Sequence, residues 1–191
     1  DNTITHPELT VFASQKSVLY TDGSIMFSMG LQPAVNQFYS YRGRVGAITS
    51  GTNTYGIAGL IAEGSFDEDE GKRALNHFFD PFLDRPLTIG IFRAGERSWR
   101  WTLEDAGPIS GQDFSVADAR AYLTTGLTYN AGTPVDSDRQ RGSALGSMFL
   151  SLGHMVHHIQ DMTQPQHVRN DQHLDSYAMW GLNPFFNPSR Y

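Results

Sequence analysis

The sequence of 191 residues predicts an all-α fold, mostly helical, with a loop-rich or small β-hairpin insertion. Three observations carry that expectation. From about Asp138 to Met162, apolar residues recur at helical spacing: Leu145, Met148, Phe149, Leu152, Met155, Val156 and Ile159. A second helical segment, "VADARAYLTTGLTY", follows Ser115, a residue type suited to an N-cap. A third begins at Thr5-His6-Pro7, where proline suits a first helical turn.

Each remaining element follows from its local pattern. In the first helix, Leu9, Phe12, Val18 and Leu19 give a moderate apolar stripe. Residues 21–56 are rich in Gly, Ser, Asn and Tyr, which predicts loop with at most short strands. "IAGLIAEGSFDEDEGKRALNHFF" is helical at both ends around an acidic break from Asp67 to Glu70. "DPFLDRP" is a turn signal, and "LTIGIF" and "SWRWTL" alternate enough for a small hairpin across "RAGER". "AGTPVDSD" reads as a connection into the long helix, and Pro165 ends that helix. Beyond it lies polar loop with an aromatic segment. The whole of residues 1–191 reads as one domain. "NPFFNPSRY" has the texture of mid-sequence, so the parent chain is expected to continue past Tyr191. The start at Asp1 suggests a processed product or an excised fragment.

Composition narrows the chemistry. Hydrophobic residues make up 39 %, enough for a real core. The net charge of −6 disfavours a broad nucleic-acid footprint, which needs clustered Lys and Arg. Bound cations can still invert the sign of a local site. There is no cysteine, so disulfides and thiolate zinc sites are excluded. No run of about 18 apolar residues predicts a membrane span, and no signal-peptide pattern is visible.

The histidines then stand out. "HHIQDMTQPQH", from His157 to His167, holds three of the chain's seven histidines and an aspartate. On a helix, His157 and Asp161 are four residues apart, with side chains roughly 40° apart on one face. Imidazole and carboxylate so placed can share one cation. His167 follows the proline break and stays near the helix end. His154 and His158 could be ligands on spacing alone, but structural or supporting roles are the better expectation. Upstream, Glu63, Asp67, Glu68, Asp69 and Glu70 precede His77 and Asp80. A solvated acidic turn is the bland account of that run. In "NHFFDP" the aromatics are expected to pack inward, which makes His77 a positioned residue.

"GSFDED…NHFFDP" followed by "LGHMVHHIQDMTQPQH" resembles the zinc-dependent phospholipase C / P1 nuclease superfamily, with "NHFFDP" pointing to the phospholipase C branch. With "THPELT" near the start, the resemblance covers most of the chain in order. It implies a site of two or three zinc ions held by His6, Asp69, His77, His157, Asp161 and His167, with Asp161 bridging two ions. Asp69 and Asp161 are the catalytic residues it implies, Asp69 as ligand and proton acceptor. The implied reaction is phosphodiester hydrolysis by a water activated between cations, releasing diacylglycerol and a phosphorylated headgroup. The implied partners are a phospholipid substrate and transient contact with a membrane surface, with no stable nucleic-acid partner. The implied location is secreted or periplasmic. Two features depart from the family. Residue 1 is Asp where the family has Trp, and His173 is followed at +4 by Tyr177 where an acid is typical. His173 is therefore expected as a replacement ligand, against a plain loop histidine.

Weaker candidates complete the reading. Arg169 could bind a phosphate oxygen or form a surface ion pair. Trp99 and Trp101 could meet a headgroup through cation–π contact, or pack. Phe185 and Phe186 could flank a substrate mouth. A P1-like single-strand nuclease keeps the same site with a different substrate. A non-catalytic metal- or membrane-binding module is the alternative of another class.

Overall fold

A computed structural model describes residues 5–22, 24, 38–40, 54–89, 91–104 and 111–169, and helices dominate them. α1 (Thr5–Lys16) and α2 (Val18–Thr21) open the chain. β1 (Phe38–Ser40) pairs antiparallel with β2 (Thr54–Gly56), with Tyr39 opposite Tyr55. α3 (Ile57–Asp67) leads through an acidic turn into a single 3₁₀ turn at Arg73–Asn76. β3 (Thr88–Ile89) and β4 (Phe92–Arg93) form a second antiparallel pair. α4 (Ser98–Leu103), α5 (Val116–Thr128), α6 (Pro134–Asp161) and α7 (Pro165–Val168) follow. No helix among the described residues is long and apolar enough to cross a membrane.

The core lies where α3 crosses α6. α3 is buried on nearly every face, as its run of Ile57, Ala58, Leu60, Ile61 and Ala62 requires. α6 meets it with Leu145, Phe149 and Leu150. The crossing is close because two glycines remove side chains at the contact. A Cβ on Gly153 would stand 1.9 Å from the Ile61 carbonyl oxygen, and one on Gly64 would stand 2.1 Å from that of Leu150. This close approach sets the last turns of α6 against the end of α3.

The helix ends carry the signals the sequence offered, with adjustments. Ser115 caps α5 through a capping box with Asp118. α6 starts at Pro134, about four residues earlier than its apolar pattern predicts, because Thr133 accepts from the Asp136 backbone N–H and Pro134 fills the first turn. So the second half of "AGTPVDSD" is helix. The hairpin pairs Thr88–Ile89 with Phe92–Arg93, and "SWRWTL" is α4, a short helix. Its two tryptophans take different roles: Trp101 is buried, whereas Trp99 stays partly exposed with its ring edge-on to Phe79. In α1 the buried face is Pro7, Thr10 and Ser14, while Leu9 and Phe12, like Val18 at the start of α2, are exposed. The polar inward face has a partner, since the Thr10 hydroxyl donates to Ser65 Oγ on α3.

Two glycine substitutions should separate packing from propensity. Gly153→Ala is expected to lose about 1–3 kcal/mol in urea unfolding, because its methyl group has no room. Gly142→Ala, on the same helix with nothing within 4 Å of the new carbon, should gain about 0.5–1 kcal/mol.

Candidate metal centre

Five segments bring their side chains to one point beside the end of α6. α6 supplies His157 and Asp161 four residues apart, on the face that packs on α3. The turn after α3 supplies Asp69, and the 3₁₀ turn ends at His77. Gln164 N–H closes on the Asp161 carbonyl at 2.8 Å, and Pro165 then starts α7, which returns His167. The first turn of α1 adds His6. The backbone N–H of Phe79 donates to the His167 carbonyl at 3.2 Å, which ties α7 to the "HFFDP" segment.

The carboxylate of Asp161 is the point of convergence. Its Oδ2 lies 2.8 Å from His77 Nδ1, 3.1 Å from His157 Nε2 and 3.5 Å from His167 Nδ1, which itself donates to the His77 carbonyl at 3.2 Å. Its Oδ1 faces the other way, 3.5 Å from His6 Nε2. Asp69 Oδ1 stands 3.5 Å from both His77 Nδ1 and His157 Nε2. Ligands about 2.0–2.1 Å from one tetrahedral ion stand about 3.3–3.4 Å apart, so these spacings suit a shared cation.

Unmet polar atoms point the same way. Asp69 Oδ2, His157 Nε2 and Asp161 Oδ2 are buried without a hydrogen-bond partner. The approaches around Asp161 Oδ2 are close, but none is aligned as a hydrogen bond. Buried polar atoms without partners are costly, and a cation would satisfy them together. The outer nitrogens are already anchored. His157 Nδ1 donates to the Ser65 carbonyl at 2.7 Å, and His77 Nε2 to that of Glu68 at 3.1 Å. His6 Nδ1 donates to Gln160 Oε1 at 2.6 Å. An outer N–H held by an oxygen, with the inner nitrogen left facing a carboxylate, is the arrangement of metal-ligating histidines. Four groups of three side chains in this region have ligand atoms close enough to hold an ion: His6, His157 and Asp161; Asp69, His77 and His157; His77, Asp161 and His167; and Glu68, His77 and His158.

The carboxylates favour positive charge on the two central rings. Burial opposes charge on His77, but Asp161 and Glu68 outweigh it and raise the ring to about 9. Burial likewise opposes charge on His157, and Asp161 with Asp69 raises it to about 10. The same rings hold Asp161 and Asp69 below the usual carboxylate range despite burial.

Glu68 is a different object from its neighbours. It is fully buried, and five donor atoms meet its two oxygens. Arg73 donates to Oε2 through Nε at 2.9 Å and Nη2 at 2.6 Å. His154 Nδ1 meets Oε2 as well. Trp101 Nε1 donates to Oε1 at 2.7 Å and His158 Nε2 at 3.0 Å. A carboxylate has about four lone-pair sites, so none is left for an ion. Of the four groups, the three that involve Asp161 or Asp69 are therefore the metal candidates, and the Glu68 group is a hydrogen-bond hub. Burial opposes the Glu68 charge, yet His158, His154 and His77 hold it well below its usual range. His158 is satisfied on both sides, since Ser98 Oγ lies 3.1 Å from its Nδ1. Burial pushes His154 down to about 4 and lowers His158 also, so both are neutral supports.

The structure thus brings together His6, Asp69, His77, His157, Asp161 and His167. His173 lies outside the described residues, as do Phe185 and Phe186. Asp80 is not in the cluster: it caps the turn after Pro81 by accepting from the backbone N–H groups of Phe82 and Leu83, and pairs with Arg85. Trp101 is a packing residue through its bond to Glu68, and Arg169 is an exposed residue at the end of α7. Sequence reasoning missed Glu68, Ser65 and Gln160. The run of acids hid Glu68. The signal available was the His154/His158 pair, whose shared face needs a buried acceptor. Comparison with protein-family models, curated proteins and solved structures found no match to the chain.

Two outcomes follow from these charges. A divalent ion must displace protons from His77 and His157, so its apparent affinity should rise with pH and level off above about 10, by about tenfold per pH unit for each proton displaced. Calorimetric titration between about pH 6 and pH 8 reads that slope. Glu68→Leu should cost about 3–5 kcal/mol in urea unfolding, because it strands Arg73 and three further donors in the core.

Proposed function

We propose that the chain is a zinc-dependent phosphodiester hydrolase, with phospholipids as the substrate class. One observation carries the metal half of this reading. Four histidines scattered from His6 to His167 converge on the two oxygens of Asp161, and three buried polar atoms there lack a hydrogen-bond partner. The all-imidazole and carboxylate donor set suits zinc without thiolate. The phosphodiester half rests on the resemblance of "NHFFDP" and "HHIQDMTQPQH" to the phospholipase C branch.

When bound, zinc would supply Lewis-acid stabilisation of phosphate charge and a water nucleophile near neutral pH. The chain's own residues do the rest. Asp161 would be a shared ligand, with Oδ1 toward His6 and Oδ2 toward His77, His157 and His167. Asp69 would hold an ion through Oδ1, the oxygen that faces both His77 and His157. Its Oδ2 is without a partner and the group is ionised, so it can accept the proton of an attacking water. His77 and His157 are locked by backbone carbonyls, which keeps the ring planes fixed as charge develops. Secreted or periplasmic operation on a membrane surface belongs to the same reading.

The zinc content of protein purified without added metal is the first test, followed by hydrolysis of phosphatidylcholine vesicles and of single-stranded DNA. Two or three zincs with lipid turnover supports the proposal. Turnover of DNA alone would move it to a P1-like nuclease, and tight zinc with neither turnover to a binding module. Asp161→Ala should cut zinc content and lower kcat/KM more than about 100-fold, since loss of a bridging ligand exceeds the usual cost of a supporting one. Full zinc occupancy with retained activity in that variant overturns the mechanism.

A further inference from the structure

One polar chain runs beside the centre and touches no candidate ion. Gln160 precedes Asp161 on α6. Its Oε1 accepts from His6 Nδ1 at 2.6 Å, and its Nε2 donates to Thr10 Oγ1 at 3.0 Å. The Thr10 hydroxyl is then spent on Ser65 Oγ at 3.0 Å. The Ser65 carbonyl accepts from His157 Nδ1 at 2.7 Å. Thr10 and Ser65 are both buried. The rings at the two ends, His6 and His157, stack with centroids 4.1 Å apart. The outer nitrogens of two stacked histidines are thus joined through α6, α1 and α3.

The direction of this chain has a chemical consequence. A neutral imidazole carries one N–H, and the nitrogen that binds a cation must be the other one. His6 Nε2 faces Asp161 Oδ1, so a cation between them requires the ring proton on Nδ1, where it needs an acceptor. The amide of Gln160 could in principle offer either its oxygen or its NH₂ to that nitrogen. With the NH₂ group spent on Thr10, and the Thr10 proton spent on Ser65, only the oxygen is left for His6. A reversed amide would put a donor against Nδ1 and force the His6 proton to Nε2, where it would block a cation. His77 and His157 lean on backbone carbonyls, which cannot reverse. Of these three histidines, His6 is the one whose outer contact is a side chain.

We propose that Gln160 is the positioning residue that sets the tautomer of His6, and so admits a cation between His6 and Asp161 Oδ1. The inference rests on the metal reading above. It separates that position from the one enclosed by Asp69, His77 and His157, where no ligand bonds to Gln160 directly and His157 is held by a backbone carbonyl.

Three chains test it: wild type, Gln160→Leu and Gln160→Glu. Leucine removes the acceptor at similar size, and glutamate can only accept. The first readout is nitrogen-15 NMR of the His6 ring in metal-free protein at about pH 8, where an unperturbed histidine is neutral. Wild type should show the proton on Nδ1, and the leucine variant should lose that single tautomer. The second readout is zinc titration. The leucine variant should bind one ion as wild type does and the other about 10–100-fold more weakly, and the glutamate variant should restore both. His6→Ala should weaken that same ion. The proposal is overturned by a wild-type proton on Nε2. Equal loss of both ions in the leucine variant also overturns it, as does wild-type affinity for both. Failure of the glutamate variant to restore the weakened ion is equally fatal. A wild-type chain that binds no ion would overturn the metal reading itself, while the tautomer measurement still decides the part played by Gln160.

Discussion

The burial of Glu68 governs the geometry of the described residues. A carboxylate with no solvent access is tolerated only when it is fully hydrogen-bonded. Here the bonds come from Arg73 in the 3₁₀ turn, Trp101 in α4, and His154 and His158 in α6. Satisfying one group therefore fixes three elements against the end of α3. Arg73 is held further by the rings of Trp101 and Phe114, at 5.0 Å and 5.4 Å, and by Gln112. The glycine contact between α3 and α6 makes this possible, because it lets the two backbones approach until α6 histidines reach the carboxylate just past the end of α3.

α6 then carries two histidine pairings on neighbouring faces. His154 and His158, four apart, turn to Glu68. His157 and Asp161, four apart and shifted by three, turn to the metal candidates. The residue type is the same on both faces, and the surroundings divide the roles. His154 and His158 face a carboxylate already shared with Arg73, so burial wins and they stay neutral. His77 and His157 face Asp161 and Asp69, whose negative charge wins over burial. A proton or a metal ion can meet that demand.

Support and ligand are also joined within single residues. His77 touches Glu68 through one nitrogen and Asp161 through the other. Its ring is therefore fixed by the hub before any ion arrives. Pre-organisation of this kind lowers the cost of binding, because little freedom is left to lose. His6 is the exception, arriving on α1 and held through Gln160.

The sequence by itself determined the helical class, the long helix and its HxxxD pair, and the Ser115 cap, because helical spacing and capping are local. His6, Asp69, His77 and His167 were expected beside that pair only through the family resemblance. The tertiary structure alone decided which charges are buried. Asp67, Glu68, Asp69 and Glu70 form one acidic run, yet Asp67 and Glu68 are buried, Asp69 lines the centre and Glu70 is exposed. Nothing in their order distinguishes them; the donors that do so lie up to about 90 residues away, on α6. The same reason explains "SWRWTL". Its alternation fits a strand locally, but only a helical turn there accompanies Trp101 Nε1 reaching Glu68 while Ser98 reaches His158. Local pattern set what each segment could be, and the demand of one buried carboxylate for partners selected among those options.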